Sequence, residues 1–146
     1  MRERFWELPL AQLDSAEWEA LCDGCARCCL IKLEDEDNGA LHYTDIACRY
    51  LDCQTCRCSD YDNRLRNVPD CLAVDLEFLR QRSHWLPQSC AYRRLHEGRG
   101  LASWHPLLSG DRHSVAAAGI AMAGELVSEV LVDEQDYGHH LINWVK

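Results

Sequence analysis

The sequence predicts an α+β fold: a small single domain, rich in cysteine and stabilised by metal, with short helices and a β-hairpin. Three observations predict it. Four thiols fall within the eight residues Cys22 to Cys29, a density that no apolar core requires. Asn38-Gly39 separates two apolar runs, a hairpin signal because both residues accept positive φ. Brief helical stretches each follow a capping residue, at Asp14, Asp75 and Ser89. A chain of 146 residues suits one domain, 1–146, with a hydrophobic core.

Residues 1–13 read as an N-terminal arm packed down by Phe5, Trp6, Leu8 and Leu10. Asp14 then caps a helix from Ser15 to Leu21, with Glu17 completing a capping box. Trp18 and Leu21 form its buried face. Strands follow near 30–35 and 40–45, joined at Asn38-Gly39 by a type I′ turn. The acidic group Glu34, Asp35, Glu36 and Asp37 lacks the spacing of a calcium loop and reads as a solvated turn. Asp45 caps a helix over Ile46–Leu51, and 67–71 is a loop stopped by Pro69. Asp75 caps a helix to Arg82. Ser89 caps another from Cys90 to His96, closed by Gly98. Segments 104–107 and 109–111 are rich in turns. Gly119 and Gly124 weaken a helix over 119–132, so strand pieces are expected there. A final helix from Asp133 to Val145 puts Tyr137, Leu141 and Trp144 on one face.

The chemistry lies in the thiols. In Cys22-Asp23-Gly24-Cys25, two intervening residues let the chain curl so that both sulfurs face one ion. Gly24 eases that turn, and Cys25-Ala26-Arg27-Cys28 repeats the offset. Three sulfurs at this rhythm bind one zinc or three corners of an iron–sulfur cluster. Neighbouring residues rarely aim at one tetrahedral centre. Cys29 therefore serves a second metal, bridges two, or faces the core. A second group follows at Cys48, Cys53, Cys56, Cys58 and Cys71.

Compartment decides between metal and disulfides. The first 21 residues hold no apolar signal core and carry five acidic side chains, so neither a secretory signal nor a transit peptide is expected. No apolar run approaches membrane-spanning length. A cytoplasmic protein is expected, with reduced thiols that bind metal. The net charge of −9 opposes a sequence-independent grip on nucleic acid. A zinc held by four thiolates adds about −2 more. Arg27, Lys32, Arg49 and Arg57 sit near the cysteines and offset that charge.

Several segments in order carry a resemblance. They are Trp18-Glu19, Leu21-Cys22-Asp23-Gly24-Cys25, Cys28-Cys29-Leu30, Lys32-Leu33 and Asp35-Glu36-Asp37. Further on come Ala47-Cys48-Arg49, Thr55-Cys56-Arg57-Cys58, Pro69-Asp70-Cys71, Trp85-Leu86-Pro87, Cys90-Ala91-Tyr92-Arg93 and Trp104-His105-Pro106-Leu107. With these the chain resembles the YkgJ-type CxxCxxCC family of zinc- or iron-chelating domains, and looks most like its bacterial YcgN-like branch. Cys48-Arg49-Tyr50-Leu51 matches the family's Cys-x-aromatic-Leu step, and Cys58, Tyr61 and Arg64 match a Cys-x-x-Tyr-x-x-Arg step. Leu65 stands where the family has proline, which leaves the path from Cys58 to Cys71 open. Cys53 falls outside the pattern.

The resemblance implies metal chelation and no particular reaction. The candidate ligands are Cys22, Cys25, Cys28, Cys29, Cys48, Cys58 and Cys71, then Cys56, then Cys90. Cys56 ranks lower because Cys-x-Cys spacing rarely sends both sulfurs to one zinc. Cys90, after Pro87 at a helix start, equally suits a buried thiol. Nine cysteines give two four-ligand sites with one over, a paired site with bridging thiolates, or one cluster plus one zinc. Of the histidines, His105 reads as a hydrogen-bonded residue beside Pro106, and His139-His140 as exposed.

The expected function is zinc or iron chelation, with the metal structural or stored and no protein partner identified. No catalytic residue is assigned, since no acidic residue sits in a HExxH or similar frame. The rival reading is an iron–sulfur enzyme or electron carrier. Against it, a ferredoxin run continues with three residues, cysteine and proline, where this chain has Lys32 and Leu33. A third reading is a cysteine-based redox or metal sensor, marked by an exposed, partly ionised thiol.

Overall fold

A computed structural model describes residues 1–146. Its helices are α1 (Ser15–Ala20), α2 (Arg64–Asn67), α3 (Leu76–Arg82), α4 (Ala91–His96), α5 (Pro106–Ser109) and α6 (Ser114–Ala117). Its strands are β1 (Leu30–Glu34), β2 (Leu41–Ala47), β3 (Leu51–Asp52), β4 (Arg57–Cys58) and β5 (Val127–Ser128). This is an α+β chain of short helices and small sheets. It forms two compact units, Met1–Gly24 with Ala73–Ile120, and Cys25–Leu72 with Ala121–Lys146.

The first unit holds α1, α3, α4, α5 and α6. Two of its helices, α1 and α3, begin where side-chain oxygens satisfy backbone N–H groups that have no partner within the helix. Asp14 accepts from the Glu17 N–H at 2.8 Å, and Glu17 accepts from the Asp14 N–H at 3.0 Å, completing the expected capping box. Asp75 accepts from the Phe78 N–H at 2.8 Å and starts α3 as expected. The arm packs through Phe5, which is buried and meets Trp6 edge-on at 5.4 Å. Leu21 is fully buried, whereas Trp18 is half-buried. The Trp18 indole donates to the Val74 carbonyl at 3.1 Å, and the Tyr92 hydroxyl donates to the Trp18 carbonyl at 2.7 Å. These two bonds tie α1 to α4 and to the segment before α3.

Ser89 is not the cap of α4. The N-cap is Cys90, without a side-chain capping bond, and the buried Ser89 hydroxyl finds no partner within the protein. The Cys90 N–H bonds the Pro87 carbonyl at 3.0 Å. This turn after Pro87 moves the helix start one residue on. Gly98 closes α4 at positive φ, as expected.

The second unit holds every strand. β1 and β2 pair antiparallel, with Leu33 opposite His42 and Glu34 opposite Leu41 and an irregularity between Leu30 and Lys32. The hairpin exists, but its turn is not type I′. Gly39 has positive φ and Asn38 does not. The connection is longer: Asp35 N–H bonds the Ala40 carbonyl and Gly39 N–H the Asp35 carbonyl, both at 2.8 Å. The Asp35 carboxylate accepts from the Asp37 N–H and the Asn38 side chain from the Ala40 N–H, so polar side chains build the turn.

Two expected helices are absent from this unit. Ile46–Leu51 is not helical, because β2 runs on through Ala47 and pairs in parallel with β5 at Ile46↔Val127 and Ala47↔Ser128. Tyr43, Thr44 and Ile46 favour strand, and ladders on both edges of β2 outweigh a cap at Asp45. Asp45 instead takes His140, with Nδ1 at 2.8 Å from its carboxylate. The helix expected from Asp133 to Val145 is a 3₁₀ segment over Glu134–His140. Beyond it Leu141 bridges Thr44, and Ile142 N–H bonds the Tyr43 carbonyl at 2.9 Å. The extended chain therefore follows β2. Leu141 and Trp144 are exposed rather than buried on a helix face. The expected strand within 119–132 is confined to β5. The core of this unit gathers Ala26, Leu30, Tyr43, Ala47, Leu51, Cys56, Met122 and Val145.

Candidate metal centre

Of the nine candidate ligands, Cys25, Cys28, Cys29, Cys48, Cys56, Cys58 and Cys71 lie in the second unit. Cys22 and Cys90 lie in the first, Cys22 exposed and Cys90 half-buried. The chain passes from one unit to the other at Gly24–Cys25, inside the CDGCARCC run.

Within the second unit, local backbone geometry aims the thiols. Ala26 adopts a left-handed conformation at φ 69°, which curls the chain after Cys25. The Arg27 N–H then lies 3.5 Å from the Cys25 sulfur, the amide-to-sulfur contact expected of this spacing. A 3₁₀ turn over Arg27–Cys29 follows and leads into β1. At the other end of the ladder the Cys48 N–H donates to the Cys29 carbonyl at 3.0 Å. The hairpin thus carries Cys28 and Cys29 at its start beside Cys48 at its end.

The loop after β4 brings Cys71 to the same neighbourhood. Cys29 lies within hydrogen-bond reach of the Cys28 thiol and within electrostatic reach of Cys71 and Cys48. Cys71 senses Cys28, Cys48 and Cys58 as well. Both thiols are pushed up from the usual range. The Cys28 hydrogen bond leads at Cys29, followed by burial and the neighbouring thiols. At Cys71 burial leads, Arg64 pulls the other way, and the neighbouring thiols add to the rise. Crowded thiols resist ionisation because each new thiolate meets others in a poorly solvated place. Bound metal removes that penalty by supplying positive charge.

Lys32 stands among them. Its ammonium donates to the Cys28 carbonyl at 3.0 Å and the Leu30 carbonyl at 3.1 Å, and lies over the Tyr43 ring at 5.3 Å. Burial lowers its pKa, while Cys28, Cys29 and Cys71 raise it. It is a cation within electrostatic reach of these three thiols. Arg49, which pairs with Glu129 at 3.5 Å, lies beside Cys48.

Cys56 departs from the group. It is buried in the core at φ 59°, and the Met122 and Ala123 N–H groups point at its thiol. Burial raises its pKa against these two donors. Cys56 thus belongs to the core cluster, while Cys58 lies within electrostatic reach of Cys71. Cys25 is buried as well, and its carbonyl accepts from the Met122 N–H at 3.1 Å.

His105 is committed elsewhere. It is 1% exposed, its Nδ1 accepts from the Leu107 N–H at 3.1 Å, and Nε2 lies 2.8 Å from the Leu21 carbonyl. The ring must therefore carry its proton on Nε2 and donate to Leu21. His105 caps α5, with Pro106 at the first helical position. His140 is half-buried against Asp45 rather than exposed. Sequence reasoning missed that pair, since 95 residues separate its members.

Thiols with a nearby cation suit zinc or iron, which take sulfur ligands. The expected convergent cage is not formed. No three His, Cys, Asp or Glu side chains group closely enough to hold an ion. Electrostatic reach exceeds ligand distance, so the thiols are neighbours without a shared focus. Helices are also short: none is long and apolar enough to cross a membrane.

Comparison with known proteins agrees with the cysteine pattern. Residues 21–91 match the family described as "CxxCxxCC: Putative zinc- or iron-chelating domain". A UPF0260 protein of Ectopseudomonas mendocina is 55% identical over 141 residues, covering 96% of this chain and 94% of that protein. A UPF0260 protein of Parvibaculum lavamentivorans is 52% identical, with 97% and 93% covered. One from Rhodobacter capsulatus is 49% identical, with 97% and 95% covered. No solved structure matches the chain. Identity of this order over nearly the whole length, together with the matched cysteine segment, places the chain in the bacterial UPF0260 family of CxxCxxCC proteins.

Proposed function

We propose that this protein chelates zinc or iron through cysteine thiolates and acts as a binder rather than a catalyst, in the reducing cytoplasm. One observation carries the reading. Cys28, Cys29 and Cys71 lie within electrostatic reach of Lys32, and Cys71 is in turn within reach of Cys48 and Cys58. Metal binding would have to draw these thiols together from electrostatic range to ligand distance, since no three of them group closely enough as they stand. A metal there would cross-link the hairpin to the loop after β4, coupling binding to folding of this unit.

Elemental analysis of the purified chain tests this, with one to two equivalents of tightly bound metal expected. Zinc is colourless because its d shell is full. A brown preparation that bleaches with dithionite would replace zinc by an iron–sulfur cluster. Fully folded protein without metal would end the chelation reading.

A further inference from the structure

Cys53 and Cys56 have a relationship that metal chelation does not use. They occupy the two ends of the four-residue loop joining β3 to β4. The last pairs before that loop are Leu51↔Cys58 and Asp52↔Arg57, so Cys53 and Cys56 come next across it. The loop is fixed by its own bonds. The Asp52 carboxylate accepts from the Gln54 N–H at 2.9 Å and the Thr55 N–H at 3.1 Å. The Asp52 carbonyl accepts from the Cys56 N–H at 2.9 Å. Cys56 turns the chain back at φ 59°.

Residues three apart in a tight turn have Cα atoms within about 7 Å, and a disulfide needs roughly 4.4–6.8 Å. Both side chains meet the same apolar cluster, with Cys56 a buried member and Cys53 packed against it. Segment 122–124 holds both ends of the loop. Met122 and Ala123 N–H groups reach the Cys56 thiol, and the Gly124 N–H bonds the Cys53 carbonyl at 3.4 Å. The neighbour thiol acting on Cys56 is that of Cys53.

We infer that Cys53 and Cys56 form a reversible dithiol–disulfide pair whose oxidant is a low-molecular-weight disulfide. Cys53 is the less buried of the two and reacts first. Its thiolate attacks one sulfur of the small disulfide, forming a mixed disulfide and releasing one small thiol. The Cys56 thiolate then attacks the Cys53 sulfur, closing the loop disulfide and releasing the second small thiol. The protein thiols lose two electrons and two protons in all, and these reside on the two released thiols. Closure removes Cys56 from the nine candidate ligands and does not involve the other eight. The inference does not rest on chelation.

The purified full chain is incubated without air in oxidised glutathione, then alkylated and cut after arginine. Cleavage at Arg49 and Arg57 releases residues 50–57, which contain Cys53 and Cys56 and no other cysteine. The expected product is this peptide, unalkylated and lighter than its dithiol form by two hydrogens. Dithiothreitol treatment before alkylation should restore two alkylation sites. In Cys53→Ser the loop disulfide should vanish while Cys56 stays alkylatable. The inference is overturned if both thiols stay free in the wild type, if glutathione remains on Cys53, or if Cys56 links to another cysteine. Bound metal is counted in the same preparation before oxidised glutathione is added, so absence of metal there with a loop disulfide afterwards rejects chelation alone.

Discussion

The Cys48 N–H donates to the Cys29 carbonyl at 3.0 Å, one step beyond the Leu30↔Ala47 pair. This bond joins two cysteine groups that lie far apart in sequence. It makes the β-hairpin the frame of the thiol neighbourhood.

The hairpin frame distinguishes the cysteines by position. Cys48→Ser should cost bound metal and unfold at least the local region. Structural zinc contributes on the order of 10–16 kcal/mol in zinc-finger peptides, against a whole-protein stability of about 5–15 kcal/mol. Cys53→Ser should keep the metal, because Cys53 lies outside the neighbourhood of Cys28, Cys29, Cys48, Cys58 and Cys71. Thermal melts with metal counted in each variant check the contrast. Metal lost from Cys53→Ser and kept by Cys48→Ser would contradict it.

Glu17 predicts acid sensitivity in the first unit. Its carboxylate has no solvent exposure and accepts from the Arg2 side chain, the Arg2 N–H and the Asp14 N–H. The Arg2 bonds hold its pKa down to about 2, from an ordinary 4.5. A lowered folded-state pKa means that the ionised form supports folding. The contribution is complete above the ordinary value and is lost as pH falls from there toward about 2. Glu17→Gln should melt lower than wild type at neutral pH, and the gap should close across that window. A pH series of thermal melts reads it directly.

His105→Ala should be among the more costly single substitutions in the first unit. It removes the cap of α5, worth about 1 kcal/mol, and strands the buried Leu21 carbonyl at a cost of about 1–3 kcal/mol. The sum is about 2–4 kcal/mol. Denaturant unfolding with an unchanged slope would measure it.

Asp75 and Ser89 form an opposing pair. Asp75→Ala should destabilise by about 1 kcal/mol because Phe78 N–H loses its acceptor. Ser89→Ala should leave stability unchanged or raise it by about 1 kcal/mol, since the buried hydroxyl bonds nothing within the protein. Chemical denaturation midpoints of the two variants should move in different directions or differ by that margin.

Interactions that act over a few residues were legible in the order of the amino acids alone. Asp14 with Glu17 and Asp75 with Phe78 are capping bonds three residues long, so their spelling suffices. The β1–β2 hairpin and the crowding of thiols from Cys22 to Cys29 were legible for the same reason. The behaviour of Asp45 and of the C-terminal segment depended on contacts made in the folded chain. Asp45 looked like a cap, but the ladder from β1 through β2 to β5 gave its backbone better partners and left its carboxylate to His140. The chain beyond His140 looked helical, but Tyr43 and Thr44 drew it out along β2. Backbone groups take the partners that folding delivers, and those partners lie nearly a hundred residues away. The same holds for the thiols. Spacing names the cysteines, while the sheet and the loop after β4 decide that Cys71 comes within electrostatic reach of Cys29 and that Cys56 is buried in the core.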